Sequence, residues 1–348
     1  MTRQQITTDL FGGTIPRLWC PAITHFKGPK TVDPGRTHRH LDVLARNVRG
    51  LLIPGSTGEG WDMSDEEILS LLEIVLDKTK ETKQLLLVGI LKTTTEQMVA
   101  AIEGTVSRLL DRAGALSWED AFRKLGVRGF VVCPPGGAEL TQEEISAALS
   151  RVLDLGFPTA LYQLPQVTQN EMTPATAASL AERFENFFML KDTSGGDKVA
   201  LSGDLTEYAS GSGVFLVRGA EGGYSRWPKA GGGPYDGLLL STANSFPEEL
   251  SAILQFLASG QPAQAEKLSH RVEEAVSTVM TEMASFTAAN AFATTNKVFD
   301  HVRAWGARSI DIEPPMVYDG TRLPASAIQL GVDTMKKYRF DFDKGYLE

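Results

Sequence analysis

Short apolar runs alternate with longer amphipathic stretches along residues 18–242. Eight of the runs predict strands: Leu18–Ala22, Gly50–Pro54, Leu85–Ile90, Gly129–Cys133, Thr159–Tyr162, Phe188–Lys191, Val214–Arg218 and Gly237–Thr242. Several are almost continuously hydrophobic, as in Leu85-Leu86-Leu87-Val88. Strands buried on both faces look like this, and parallel sheets are built from them. The intervening stretches predict helices. Ile68, Leu72, Val75 and Leu76 form one apolar stripe. Ser64 with Glu67, and Thr141 with Glu144, fit capping boxes, and Thr173-Pro174 offers an N-cap followed by proline at the first helical position. Strands alternating with helices predict an α/β fold, a (β/α)8 TIM barrel, with a doubly wound open sheet as the alternative that periodicity leaves standing.

After Asn244 the pattern changes. From Phe246 to about Ala304 no strand-like run appears, and Gly260-Gln261-Pro262 and Thr287–Thr295 divide the stretch into three helices. The expected organisation is a catalytic barrel over 1–245, a C-terminal helical extension over 246–308, and a tail over 309–348. The tail holds Pro314-Pro315, Pro324, a short helix ending near Tyr338 and a charged, aromatic end. It is expected to pack on the barrel or on a neighbouring subunit.

Composition narrows the function. The hydrophobic share of 42% supplies a sizeable core. The net charge is -9 and no basic run occurs, which argues against nucleic acid as a partner. No apolar stretch reaches the roughly 18 residues of a membrane span, and no signal-peptide core follows Met1. Two cysteines, Cys20 and Cys133, fit a reducing compartment, so a cytoplasmic location is expected. Both read as small buried hydrophobes. His38 and His40, flanked by Arg36 and Arg39, read as solvated helix residues rather than metal ligands, and His25, His270 and His301 form no interpretable spacing. No metal is expected.

Three motifs fall at predicted strand ends, where parallel barrels gather their active sites. Gly55-Ser56-Thr57-Gly58-Glu59 follows the strand at Leu51. Its glycines allow close backbone approach, and its amides and hydroxyls can hold a carboxylate; the alternative is a plain connecting loop. It is not a phosphate-binding loop of the Gly-x-x-x-x-Gly-Lys type. Tyr162 ends Thr159-Ala160-Leu161 and can relay protons at the barrel mouth; the alternative is a core tyrosine bonded to backbone. Lys191 closes Phe187-Phe188-Met189-Leu190 and opens Asp192-Thr193-Ser194-Gly195. Burial disfavours the ammonium form of a lysine, and a free amine attacks a ketone to form a Schiff base.

Taken together, Gly55–Glu59, Tyr162 with Pro165, and Lys191–Gly195, supported by Leu239–Asn244 at the last strand, resemble the dihydrodipicolinate synthase / N-acetylneuraminate lyase family of class I aldolases. The resemblance spans nearly the whole chain, in order. It implies a barrel with a C-terminal helical extension, a homo-oligomer (tetramer or dimer), and no metal or organic cofactor. It implies that Lys191 forms the Schiff base with pyruvate or another 2-oxo acid and that Tyr162 shuttles the proton. Ser56 and Thr57, with Gly55 and Gly58, would hold the substrate carboxylate, and the two hydroxyls would assist the proton relay.

Two departures matter. Where dihydrodipicolinate synthases carry a Tyr-Tyr pair, this chain reads Val132-Cys133-Pro134-Pro135-Gly136-Gly137. Where they place an arginine after the catalytic tyrosine, it reads Gln166-Val167-Thr168. Arg218 and Glu221, after the seventh strand, can bind a distal carboxylate or sugar hydroxyls, or form a solvated loop ion pair. Asn244 can bond a hydroxyl or brace its loop. The expected activity is that of a lyase that captures a 2-keto-3-deoxy sugar acid, or a related hydroxylated 2-oxo acid, as an imine and cleaves or dehydrates it. Three readings stand beside it: condensation of pyruvate with an aldehyde, a non-catalytic binding or regulatory barrel, and a phosphate-handling barrel that uses the loop near Gly231.

Overall fold

The computed structural model describes residues 1–206 and 213–348. Eight parallel strands close into a barrel: Leu18–Pro21 (β1), Gly50–Ile53 (β2), Leu85–Ile90 (β3), Val127–Val132 (β4), Thr159–Gln163 (β5), Phe187–Asp192 (β6), Phe215–Arg218 (β7) and Gly237–Leu239 (β8). Each strand lies beside its neighbours in sequence, and β8 closes on β1, so the open-sheet alternative is excluded. Every residue of β3 and β6 is buried, which is why β3 and the first four residues of β6, Phe187 to Leu190, carry no polar side chain.

The barrel helices include Pro34–Leu44 (α1), Asp65–Thr82 (α2), Thr95–Ala113 (α3), Trp118–Leu125 (α4), Gln142–Leu153 (α5) and Pro174–Arg183 (α6). Both capping boxes form at the starts of α2 and α5, and Thr173 caps α6 with Pro174 behind it. Beyond β8 come four longer helices: Pro247–Ala258 (α7), Pro262–Met283 (α8), Ala291–Trp305 (α9) and Ala325–Lys337 (α10). Among the described residues no helix is long and apolar enough to cross a membrane.

Most strand ends differ from the predicted ones by one or two residues; the last strand differs by three, and one hairpin goes unpredicted. The last strand ends at Leu239 rather than Thr242, because Ser241–Asn244 coils into a 3-10 turn. The short hairpin of Phe26–Gly28 with Thr31–Val32 carries too few apolar residues to register in the hydrophobic pattern.

By contacts the chain divides into two compact units. The first comprises Met1–Trp19, Leu85–Ala220 and Trp227–Leu239; the second comprises Cys20–Gln84, Glu221–Arg226 and Leu240–Glu348. In the first, β5 and β6 pair with Tyr162 opposite Lys191 and Gln163 opposite Asp192. Next to them β6 and β7 pair Lys191 with Val217 and Asp192 with Arg218. Residues opposite one another in adjacent strands share a face, and successive residues alternate faces. Lys191, Tyr162 and Val217 therefore point one way, and Asp192, Gln163 and Arg218 the other.

In the second unit, Glu59 and Lys297 form a buried ion pair that joins the loop after β2 to α9. Lys297 also donates to the Met316 carbonyl at 2.9 Å, and the Tyr318 amide donates to Glu59 Oε2 at 2.7 Å. Burial pulls the Lys297 ammonium below its usual range, against the opposing pull of Glu59.

Candidate active site

Lys191 is buried at the end of β6, with its Nζ 3.9 Å from the centroid of the Tyr162 ring. The parallel register produces this contact: it sets the last inward-facing residue of β5 beside that of β6. Cys133 lies just past β4, and its thiol is pushed up to about 12 by burial, against a smaller opposing influence of the Lys191 charge. It stays a neutral thiol there.

The backbone beside Lys191 is crowded. Gly219 donates to the Asp192 carbonyl at 2.6 Å. A Cβ at Gly219 would lie 2.9 Å from Lys191 Cε and 2.2 Å from Thr193 Oγ1. Only glycine leaves the lysine stem its path.

Behind the strand end, on the opposite pleat, Arg218 donates from Nε and Nη2 to Asp197 at 3.0 and 3.3 Å. Its Nη1 donates to the Ala220 carbonyl at 2.6 Å, and its guanidinium lies over the Trp227 ring. The Tyr235 hydroxyl donates to Asp197 and lies 3.3 Å from Asp192 Oδ2. Asp192 Oδ1 accepts from the Ser194 amide and hydroxyl at 2.9 and 2.6 Å. Burial raises the Asp192 carboxyl above the usual carboxylate range, with Ser194 opposing and Asp197 adding to the rise. Sequence reasoning missed Asp197, Tyr235 and Gly219. Arg218 carried the one available signal, a charge at a strand mouth.

Where an aromatic pair stands in the synthases, the loop from Pro134 to Gly137 is tied by backbone. Gly136 donates to the Thr93 carbonyl at 2.9 Å, and Asn170 Nδ2 donates to the carbonyls of Pro135 and Gly137 at 2.8 and 2.9 Å. Gln166 donates to the Thr193 carbonyl at 3.0 Å.

The second unit carries the Gly55–Gly58 loop. A Cβ on Gly58 would meet the Ala22 carbonyl oxygen at 2.7 Å, and one on Gly55 would meet Pro21 Cβ at 2.9 Å, so both positions need glycine. Ser56 Oγ accepts from Trp61 Nε1 at 2.8 Å, and its carbonyl accepts from Asn290 at 2.9 Å. Thr57 is buried.

Glu221 and Asn244 grip the 3-10 turn after β8. Glu221 Oε1 accepts from the Ser241 hydroxyl at 2.6 Å and the Thr242 amide at 3.2 Å. Its Oε2 accepts from the hydroxyls of Thr242 and Tyr224 at 2.6 and 3.0 Å. Asn244 Nδ2 donates to the carbonyls of Pro21 and Ser241 at 3.0 and 2.8 Å, and its Oδ1 accepts from the Ile23 amide at 2.9 Å. These bonds are the kind a loop brace makes.

His40, read from sequence as a solvated helix residue, is buried instead. Its Nε2 lies 3.1 Å from Asn244 Oδ1 and its Nδ1 lies 2.9 Å from Asp300 Oδ1. It shares the inner face of α1 with Thr37, Leu41 and Leu44. Asp300 also takes Arg36 at 2.5 Å, the Tyr346 hydroxyl at 2.6 Å, and His25 at 3.7 Å. His25, His40 and Asp300 come close enough to hold a metal ion, but Arg36 already supplies a cation to the carboxylate. Burial holds His25 well below its ordinary value, and Arg36 holds the Asp300 carboxyl below the carboxylate range despite its burial.

Comparison with known proteins bears on the family and the fold. The model of the dihydrodipicolinate synthetase family matches residues 16–298. The 4-hydroxy-tetrahydrodipicolinate synthase 1 of Streptomyces coelicolor is 26% identical over 281 residues, covering 79% of this chain and 82% of its own. A 2-keto-3-deoxygluconate aldolase variant of Sulfolobus solfataricus shares the fold with a TM-score of 0.68 at 15% identity, over 93% of this chain and 96% of its own. An E. coli prophage protein of the dihydrodipicolinic acid synthase family, solved with pyruvate, gives a TM-score of 0.70 at 18% identity, over 93% of this chain and 98% of its own. The chain belongs to the dihydrodipicolinate synthetase family, whose members are class I lyases and aldolases.

Proposed function

We propose that this enzyme captures a hydroxylated 2-oxo acid, such as a 2-keto-3-deoxy sugar acid, as an imine on Lys191, and then cleaves or dehydrates it. The observation that carries the reading is the buried Lys191 amine over the Tyr162 ring, on paired strand ends. In the first step the amine attacks the keto carbon and water leaves. The protonated imine then accepts the electron pair released when the neighbouring bond breaks. Retro-aldol cleavage releases an aldehyde and leaves pyruvate on the lysine; dehydration expels a hydroxyl as water. Water then returns to the imine carbon and frees the lysine. In this reading Tyr162 carries the protons, and Gly55, Ser56, Thr57 and Gly58 receive the substrate carboxylate. Arg218, Glu221 and Asn244 act through the loops they hold. No resident metal or organic cofactor enters the scheme.

The curated relative from Streptomyces is named as a synthase, which keeps condensation of pyruvate with an aldehyde as a second reading. The loop from Pro134 to Gly137 and the Gln166 side chain argue against it, since both stand where that reaction's expected aromatic pair and arginine would be. The reading also takes residues 1–245 as the catalytic barrel, 246–308 as the helical extension and 309–348 as the tail. It treats the protein as a cytoplasmic homo-oligomer, a tetramer or dimer.

The test is product analysis on a panel of 2-keto-3-deoxy acids. Pyruvate release or water loss that disappears in Lys191→Ala supports the reading. No turnover of any panel member by the folded protein would contradict it.

A further inference from the structure

We infer that Tyr235 is a positioning residue for Lys191, clasping the carboxylates of Asp192 and Asp197 behind the strand end that carries the amine. The inference rests on the imine reading above and adds to it the device that holds the amine in place.

Asp192 follows Lys191 directly and points to the opposite pleat. There it accepts from Ser194 of its own loop, faces Tyr235 on the approach to β8, and lies opposite Arg218 of β7 in the ladder. Tyr235 is fully buried, and Asp192 and Asp197 are each 1% exposed. A hydroxyl placed between two buried carboxylates is a costly arrangement to leave unmatched. Here it is matched on both sides: Tyr235 donates to Asp197, and Asp192 Oδ2 faces the same oxygen at 3.3 Å. Arg218 balances one of the two negative charges through two bonds to Asp197.

The same network holds a strained backbone. Asp197 sits at φ +53°, a left-handed conformation uncommon for a residue with a side chain. Its amide donates to Ser194 Oγ at 3.2 Å while Ser194 bonds Asp192, so the turn from Asp192 to Asp197 closes on itself. Meanwhile the Asp192 carbonyl is bonded to Gly219, whose Cα leaves no room for a Cβ beside Lys191 Cε. A slide of β6 against β7 would therefore move the amine directly.

The experiment uses the full chain with pyruvate and borohydride. It compares the rate of adduct formation on Lys191 in wild type, Tyr235→Phe and Lys191→Ala, alongside thermal melts. Phenylalanine keeps the ring and removes only the shared hydroxyl. A misplacement of about 1 Å at a reacting group can cost on the order of a hundredfold. We expect Tyr235→Phe to form the adduct roughly 10- to 100-fold more slowly while folded, with a changed pH profile because the carboxylate pair has lost its donor. Adduct formation at the wild-type rate overturns the inference, as does a deficit that only tracks the unfolded fraction. If wild type itself forms no adduct, the imine reading fails and this one falls with it; the two failures are thus distinct. Should Tyr235→Phe fold poorly, Asp192→Asn, which leaves Tyr235 bonded to Asp197, is judged by the same two outcomes.

Discussion

Lys191 and Tyr162 face each other across the β5–β6 ladder, with the lysine Nζ 3.9 Å from the tyrosine ring centroid. The ring face packs against the amine, and the phenol is carried on the strand end paired with that of Lys191.

Tyr162→Phe separates the two parts of that contact. The ring stays and the hydroxyl goes. Imine formation with pyruvate should persist, while turnover falls roughly a hundredfold to ten-thousandfold, the usual contribution of general acid–base catalysis. Steady-state kcat against borohydride trapping checks this; unchanged kcat would remove Tyr162 from proton transfer.

Gly219→Ala should damage both activity and stability. The new methyl would press on Lys191 Cε and Thr193 Oγ1. Overpacking of this kind costs about 1–3 kcal/mol, read as a lower urea midpoint at constant slope, and adduct formation should slow in parallel. A variant with wild-type trapping would show that the lysine stem has room to move.

The Glu59–Lys297 pair is buried on both sides. Lys297→Met leaves the Glu59 carboxylate without its cation and should cost about 3–5 kcal/mol. The double variant Glu59→Gln with Lys297→Met should recover part of that loss, because no orphaned charge remains. A double-mutant cycle on urea unfolding measures the coupling; additive losses would mean the two side chains act independently.

Acid should weaken the fold in two stages. Burial holds His25 and His301 below their ordinary value, so the folded state keeps them neutral while the unfolded chain takes up protons. That contribution is present above about pH 6.5 and is lost as pH falls below it. Asp300 is depressed as well, so its contribution is present above about pH 4 and is lost below it. The urea midpoint should drop between about pH 7 and about pH 5, with a shallower slope in His25→Gln. A midpoint that rises on acidification would contradict the assignment.

The barrel could be read in advance because its evidence is local. Leu85–Ile90 is buried on both faces and therefore apolar without interruption, and Ser64 with Glu67 marks the start of α2 within four residues. Lys191 and Tyr162 were legible as strand-end residues for the same reason. The clasp was not, since Asp197 meets partners 21 and 38 residues away, and nothing in one dimension marks such a pairing. His40 misled for a different reason. Its arginine neighbours made the segment look solvated, yet the helical period places it with Thr37, Leu41 and Leu44 on the inner face. The last strand was drawn too long because Leu240 continues the apolar run, while Glu221 and Asn244, from outside the run, bend Ser241–Asn244 into a turn.

The central claim is that Lys191 forms a covalent imine with a 2-oxo acid. Incubation with pyruvate followed by borohydride reduction, intact mass and peptide mapping tests it directly. The account predicts one adduct of reduced pyruvate per chain, on Lys191, absent from a folded Lys191→Ala variant. An unmodified mass with pyruvate and every other 2-oxo acid tried, or an adduct that maps elsewhere and survives Lys191→Ala, would contradict it.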